Sequence, residues 1–167
     1  MIYLASDHAG FELKEKIEEF LRGKKLDVED LGPDSLDPSD DYPDLISKAA
    51  EKVSKDSESS KAIIFGGSGQ AEAMVANKFP GVRCALFYAA IAPFQAADIT
   101  GRKSVDPFEM IRLTREHNDA NILSIGARFV NEEDAQKAVR FWLEQEFTQA
   151  PRHVRRLEKI KKIESRL

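Results

Sequence analysis

The sequence predicts an α/β fold, a mostly parallel five-stranded sheet covered by helices on both faces. Three observations lead there. Short apolar runs alternate with longer amphipathic ones along all 167 residues, the pattern of strands joined by crossover helices. A glycine-rich turn closes one apolar run and opens a helix-like one, at Gly66-Gly67-Ser68-Gly69. Hydrophobic residues make up 42% and charged residues 32%, the balance of a folded chain with enough length for one domain, 1–167, and a real core.

Ile2 to Ala5 reads as the first strand. Phe11 to Leu21 places Phe11, Leu13, Ile17, Phe20 and Leu21 at near-helical spacing. Leu26 to Leu31 is a weaker strand, and Pro33 to Asp44 is a loop marked by Pro, Ser and Asp. Leu45 to Val53 is helical. Ala62 to Phe65 is a strand, followed by the glycine turn and a helix over Ala73 to Lys78. Val82 to Tyr88 is a strand. Ala89 to Asp98 is expected to be helical and broken near Pro93, with a polar turn over Thr100 to Asp106. Pro107 to Thr114 suits a helix with Pro in its first turn. Asn121 to Ile125 is the last strand. Glu132 to Phe147 is a helix, and Pro151 to Leu167 an extended basic C-terminal helix.

Several function classes are disfavoured. A net charge of −4 is not that of a dedicated nucleic-acid binder. No apolar run approaches the ~20 residues of a membrane span. The stretch Met1 to Asp7 reaches an acid almost at once, unlike a signal peptide. The single cysteine, Cys84, excludes an internal disulfide and fits the reducing cytoplasm. The three histidines lack zinc-ligand spacing, and the acids Asp37, Asp40, Asp41 and Asp44 lack the pattern of a calcium loop and read as solvated.

The glycine turn carries the strongest chemical signal. Glycines let a ligand approach the backbone, free amides at a helix start attract anionic oxygens, and Glu72 beside them can act as a base whose product anion those amides hold. Tight strand-to-helix packing also uses small residues. The turn is neither a Walker loop nor the dinucleotide fingerprint. In a parallel sheet ligands bind at the carboxyl ends of the strands. Asp7 and His8 end the first strand, the glycine turn the third, and Gly126-Ala127-Arg128 the last, so three polar clusters share one edge. Asp7 also suits a helix cap, and His8 can titrate near neutrality. His117 and Asn118 lie just before a strand and suit proton transfer and hydroxyl recognition, or simply a solvated helix end. Arg152 and Arg156, four apart, share a helix face and suit phosphate, although a basic helix is commonly only solvated.

Taken in order, these residues resemble the type B ribose-5-phosphate isomerases and the galactose-6-phosphate isomerase subunits. The resemblance rests on Ser6-Asp7-His8-Ala9-Gly10, Asp41-Tyr42-Pro43, Gly66-Gly67-Ser68-Gly69, Ala76-Asn77-Lys78, Arg83-Cys84-Ala85-Leu86, Arg115-Glu116-His117-Asn118, Gly126-Ala127-Arg128 and Arg152-His153-Val154-Arg155-Arg156. It implies a Rossmann-like three-layer α/β/α sandwich. It implies a homodimer or a dimer of dimers with interfacial active sites, and cofactor-free, metal-free aldose–ketose isomerisation of a sugar phosphate. In one branch of the family the base is a cysteine at the position of Gly66; in the other it is a glutamate matched by Glu72. The resemblance therefore assigns Glu72 as base, Ser68 and Asp7 to the substrate oxygens, and His117 to ring opening. It places Tyr42, Gly67, Gly69, Gln70, Ala71 and Asn118 around the sugar, and His8, Arg128, Arg152 and Arg156 on the phosphate. The implied substrate is ribose 5-phosphate, going to ribulose 5-phosphate through a cis-enediolate. A hexose 6-phosphate (allose or galactose) and a non-catalytic sugar-phosphate binder are the alternatives. Two departures stand out. Gln70-Ala71 replaces the usual Asn-Gly, and the segment 92–113 is roughly 18 residues longer than the family's, beyond an ordinary connecting loop.

Overall fold

The computed structural model describes residues 1–166. Its sheet contains β1 (Ile2–Ser6), β2 (Val28–Asp30), β3 (Lys61–Gly66), β4 (Cys84–Phe87) and β5 (Ile122–Gly126). The spatial order is β2-β1-β3-β5-β4, and every pairing is parallel. All strand carboxyl ends therefore share one edge and all amino ends the other.

Strand residues alternate between two apolar layers, as the two-residue period of a strand requires. Leu4, Ile63, Phe65, Leu123, Ile125 and Phe87 pack toward α1 (Phe11–Gly23), α4 (Glu109–Glu116) and α5 (Glu132–Glu144). Ala5, Ala62, Ile64 and Ile122 pack toward α2 (Tyr42–Lys55) and α3 (Gln70–Ala76). The result is a three-layer sandwich. Trp142 of α5 is fully buried in the first layer. The last helix, α6 (Pro151–Glu164), buries only His153. No helix among the described residues is long and apolar enough to cross a membrane.

The expected strands and helices are present with shifted ends. The strand expected over Leu26–Leu31 shortens to β2, and that over Val82–Tyr88 to β4. Helix α2 starts at Tyr42, inside the segment expected as loop, because Pro43 is accommodated in a first turn. Helix α5 ends at Glu144, where Gln145 turns extended. The last helix ends at Glu164; Leu167 lies outside the described residues.

One expectation is overturned. Ala89 to Asp98 forms no helix. Pro93 supplies no N–H to a helical ladder, and polar side chains build turns there instead. The Asp98 carboxylate accepts from the Thr100 N–H at 2.8 Å and the Thr100 hydroxyl at 2.6 Å. The Ala97 N–H reaches the Arg102 carbonyl at 2.7 Å. Arg102 then ties the segment to α4 through Glu109 and Glu116, both at 2.9 Å.

Two chain ends meet where β1 turns into α1. The Asp7 N–H bonds the Phe65 carbonyl at 3.2 Å, and the Asp7 carboxylate accepts from the Gly10 N–H at 3.0 Å. Gly10 sits so close to β3 that a Cβ there would lie 2.5 Å from the Phe65 Cβ and 2.6 Å from its carbonyl carbon. Backbone cannot yield as a flexible side chain can, so Gly10→Ala is expected to cost about 2 kcal/mol or more of stability, as overpacking does. Urea unfolding checks this; an unchanged midpoint would show that the turn relaxes freely.

Candidate active site

The β3–α3 turn is built by the neighbouring strand. Gly66 stands opposite Gly126 in the β3–β5 ladder. Beyond it, the Gly66 carbonyl accepts from the Ala127 N–H at 2.8 Å and the Gly67 carbonyl from the Arg128 N–H at 3.1 Å. The Ser124 hydroxyl donates to the Gly69 carbonyl at 2.7 Å. Gly69 has φ +73°, and a Cβ there would lie 2.7 Å from the Leu86 side chain, so both conformation and space call for glycine. With these carbonyls engaged, the N–H groups of Gly67, Ser68 and Gly69 make no backbone hydrogen bond among the described residues. They are the donors available to an anionic oxygen. Ser68 also receives the Gln70 N–H on its hydroxyl at 3.3 Å.

Glu72 lies in the first turn of α3 and is only 3% exposed. Its carboxylate occupies the space beside Gly66, where a Cβ would fall 2.0 Å from Glu72 Cδ. Glu72 Oε2 is buried and has no hydrogen-bond partner among the described residues. Burial pushes its pKa above the ordinary carboxylate value, and the charge of nearby Asp7 pushes the same way, against a bond from its own backbone N–H. A buried, under-bonded carboxylate whose proton affinity has risen is poised as a base. Cys84 is no rival, because burial drives its thiol pKa up and keeps it protonated.

The sheet places several of the expected residues along this same carboxyl edge. Asp7 is buried at the end of β1. His8 follows it and bonds the Asp40 carboxylate from Nδ1 at 2.7 Å. Arg128 follows β5 and lies against the turn, with guanidinium atoms 3.4 Å from where a Gly67 Cβ would be. Tyr42 opens α2 after the same loop that carries Asp40, and Gln70 and Ala71 open α3.

His117, Asn118, Arg152 and Arg156 are elsewhere. His117 caps the carboxyl end of α4, ahead of β5, and so lies at the amino edge of the sheet. Its ring stacks on that of His153, with centroids 4.1 Å apart and planes 16° from parallel. The Thr148 N–H and hydroxyl hold the Glu116 carbonyl at 3.2 and 2.7 Å, docking the approach to α6 beside it. Burial, then Arg152 and Arg102, lower the His117 pKa against the opposing charges of Glu116 and Asp98. His153 is likewise lowered by burial and by its neighbours His117, Arg152 and Arg156. The five residues of β5 separate this cluster from the glycine turn, a span of ~17 Å at ~3.3 Å per residue. One chain thus carries two groups of expected site residues on opposite edges.

Some participants escaped the sequence. Asp40 sits in the acid-rich loop that read as solvated, yet its side chain is 9% exposed and engaged with His8. Nothing in the spacing of four loop acids singles it out. His153 was visible only as a neighbour of two arginines; its stacking on His117 depends on where α6 docks.

Residues 2–100 and 104–160 match the family described as Ribose/Galactose Isomerase. A Mycoplasma genitalium protein named probable ribose-5-phosphate isomerase B is 37% identical over 159 residues, 95% of this chain and 92% of that one. The ribose-5-phosphate isomerase B of Mycolicibacterium paratuberculosis is 37% identical over 157 residues, 94% and 87% of the two chains. The crystal structure of the Mycoplasma genitalium ribose-5-phosphate isomerase B with bound ribulose-5-phosphate superposes with a TM-score of 0.85 at 36% identity. It covers 99% of this chain and 97% of that one.

The buried Glu72 carboxylate has a consequence for stability. Because folding raises its pKa from the ordinary 4.5, the folded chain holds the proton more tightly than the unfolded one. Stability on this account is greatest at low pH and falls as pH rises through the raised value. Glu72→Gln, neutral throughout, is expected to unfold at a higher Tm than the native chain at pH 7.5 and at the same Tm near pH 4. Equal melting curves at both pH values would show that the carboxylate is not desolvated.

Proposed function

The chain belongs to the ribose/galactose isomerase family, and we propose that it interconverts ribose 5-phosphate and ribulose 5-phosphate. The observation that carries this reading is the Glu72 carboxylate, buried in the space that Gly66 leaves open at the end of β3. That is where the cysteine-dependent branch would place its base. The relative crystallised with ribulose-5-phosphate supports the pentose over a hexose 6-phosphate.

In the open-chain aldose, Glu72 takes the proton from C2. The electrons of that bond form the C1–C2 double bond, and the carbonyl π electrons move onto O1. The N–H groups of the turn hold the two oxygens by hydrogen bonds, while Ser68 and Asp7 pass the hydroxyl proton from O2 toward O1. Glu72 then returns its proton to C1 as the C2 carbonyl forms. A carbon acid is far weaker than an ordinary carboxylic acid, so abstraction depends on stabilising the enediolate. The raised Glu72 pKa narrows the gap. His117, kept neutral by burial and adjacent cations, suits accepting and returning a proton during ring opening. Asn118 would bind a sugar hydroxyl. His8 and Arg128 on one edge, Arg152 and Arg156 on the other, are the phosphate ligands in this reading, and a fixed phosphate positions the reacting carbons.

Residues on opposite sheet edges can serve one sugar if two chains meet. We read the active site as interfacial, with the glycine-turn edge of one protomer facing the His117–Arg152 edge of its partner in a homodimer. Exposed apolar side chains support a partner surface: Phe94 is 98% and Val105 92% exposed, both in the segment 92–113, and such concentrations mark interaction sites. A cytoplasmic location suits the free cysteine and the substrate class.

Turnover of ribose 5-phosphate is expected from the native chain. It should fall by about three orders of magnitude or more in Glu72→Gln, along with solvent deuterium exchange at C2; undiminished exchange in that variant would remove Glu72 as base. Co-expressing Glu72→Gln with His117→Ala tests the shared site. Half of randomly paired dimers are mixed, and each mixed dimer has one intact site of two, so about a quarter of native activity should return. No recovery from verified mixed dimers would place both residues in a site within one chain.

A further inference from the structure

We propose that Asp40 is a positioning residue for the phosphate site, holding His8 cationic and fixing which ring nitrogen faces the substrate. The inference rests on the reading of His8 as a phosphate ligand. Asp40 is presented by a built turn. The Asp37 carboxylate accepts from the Ser39 N–H at 2.9 Å and from its hydroxyl at 2.6 Å, and the Asp40 N–H returns to the Asp37 carbonyl at 3.2 Å. This turn aims Asp40 inward, so its side chain is 9% exposed whereas that of His8 is 34% exposed. The other Asp40 oxygen, Oδ2, is buried without a partner among the described residues, so the imidazole is the group that its charge serves. On the opposite side, Asp7 is locked by the Gly10 N–H, which fixes the turn that carries His8.

The charges around His8 explain why such a partner is needed. Arg128, from the end of β5, disfavours a second cation beside it, while Asp7 and Asp40 favour one; Asp37 lies within range on the same loop as Asp40. The Asp40 bond is the largest of these influences and raises the His8 pKa above the ordinary value. With Nδ1–H given to Asp40, a protonated ring has one donor left, Nε2–H. That donor and the Arg128 guanidinium can grip one phosphate together. Were His8 neutral with Nδ1–H still held, Nε2 would present a lone pair to the phosphate oxygens and repel them. Asp40 therefore keeps the ring a phosphate donor to a higher pH than it would reach without that partner.

The sign follows. His8 is charged below its raised pKa, and phosphate binding weakens as pH rises through that value. Asp40→Asn leaves an acceptor for Nδ1–H but no charge, so the His8 pKa should fall below the ordinary ~6.5. The experiment measures KM for ribose 5-phosphate and the inhibition constant of inorganic phosphate, in the full-length enzyme, from pH 5 to pH 8.5. For Asp40→Asn both constants are expected to rise about tenfold in the interval above pH ~6.5 where only the native ring stays charged, the scale of one charge-assisted hydrogen bond. They should approach native values near pH 5, with kcat changed far less. Asp40→Glu, which keeps the carboxylate, should recover most of the loss. In the double variant Asp40→Asn with His8→Gln, the penalty should not exceed that of His8→Gln alone. If His8→Gln itself leaves both constants unchanged, the phosphate role of His8 falls, and the inference with it. If His8→Gln weakens binding but Asp40→Asn does not at any pH above ~6.5, or weakens it equally at every pH, or adds its penalty to that of His8→Gln, the positioning role of Asp40 is overturned while the function proposed above stands.

Discussion

The register of β3 against β5 is the constraint on which the rest of the glycine turn depends. Gly66 stands opposite Gly126, and a Cβ on Gly126 would lie 2.7 Å from the Ser68 carbonyl oxygen. The turn is therefore laid directly across the end of β5. That contact commits the carbonyls of Gly66, Gly67 and Gly69 to groups on β5 and just beyond it. It leaves the intervening N–H groups without a backbone partner among the described residues and sends the chain into α3 with Glu72 directed back toward Gly66. A one-residue slip would exchange the inward and outward faces of the strand and dismantle the turn with it.

Opposing demands are separated in space by the parallel topology. In the proposed reaction a base must be held where its charge is uncomfortable, and Glu72 sits in a buried recess beside another acid. In the same reading the phosphate needs clustered cations, and Arg152, Arg156 and the His117–His153 stack gather at the far edge, where burial and adjacent positive charge disfavour protonating either imidazole. Placing the two groups on opposite edges of one sheet keeps the arginines of the amino edge away from Glu72 within the chain. Arg102 helps to fix the far edge, since one guanidinium spans Asp98, Glu109 and Glu116 and so anchors the irregular segment to the helix that carries His117.

Much of this was legible from residues alone because local chemistry dictated it. The run Ala62 to Phe65 before the glycines can only be a buried strand meeting a tight turn, and Glu72 then falls in the first helical turn. The polar ends of β1, β3 and β5 share an edge as soon as the sheet is parallel. Other features depend on contacts distant in sequence. His8 and Asp40 are 32 residues apart, and no periodicity links them. The apolar and alanine-rich run after β4 resembles a helix by composition, but Pro93 and the Asp98 turn prevail over propensity. Lys14, an ordinary polar position by pattern, is fully buried, ion-paired with Asp30 and with Glu15. Burial of that kind is decided by where β2 lies against α1.

The recess shared by Gly66 and Glu72 also constrains how such a sequence can change. A side chain at position 66 and the glutamate carboxylate exclude each other, because a Cβ would overlap Cδ at 2.0 Å. Acquiring a thiol at 66 first would expel the existing carboxylate; losing the carboxylate first would leave the recess without a proton acceptor. The two chemistries are thus alternative tenants of one cavity. Any lineage moving between them by single substitutions passes through a chain that has either displaced the carboxylate from the recess or lost it.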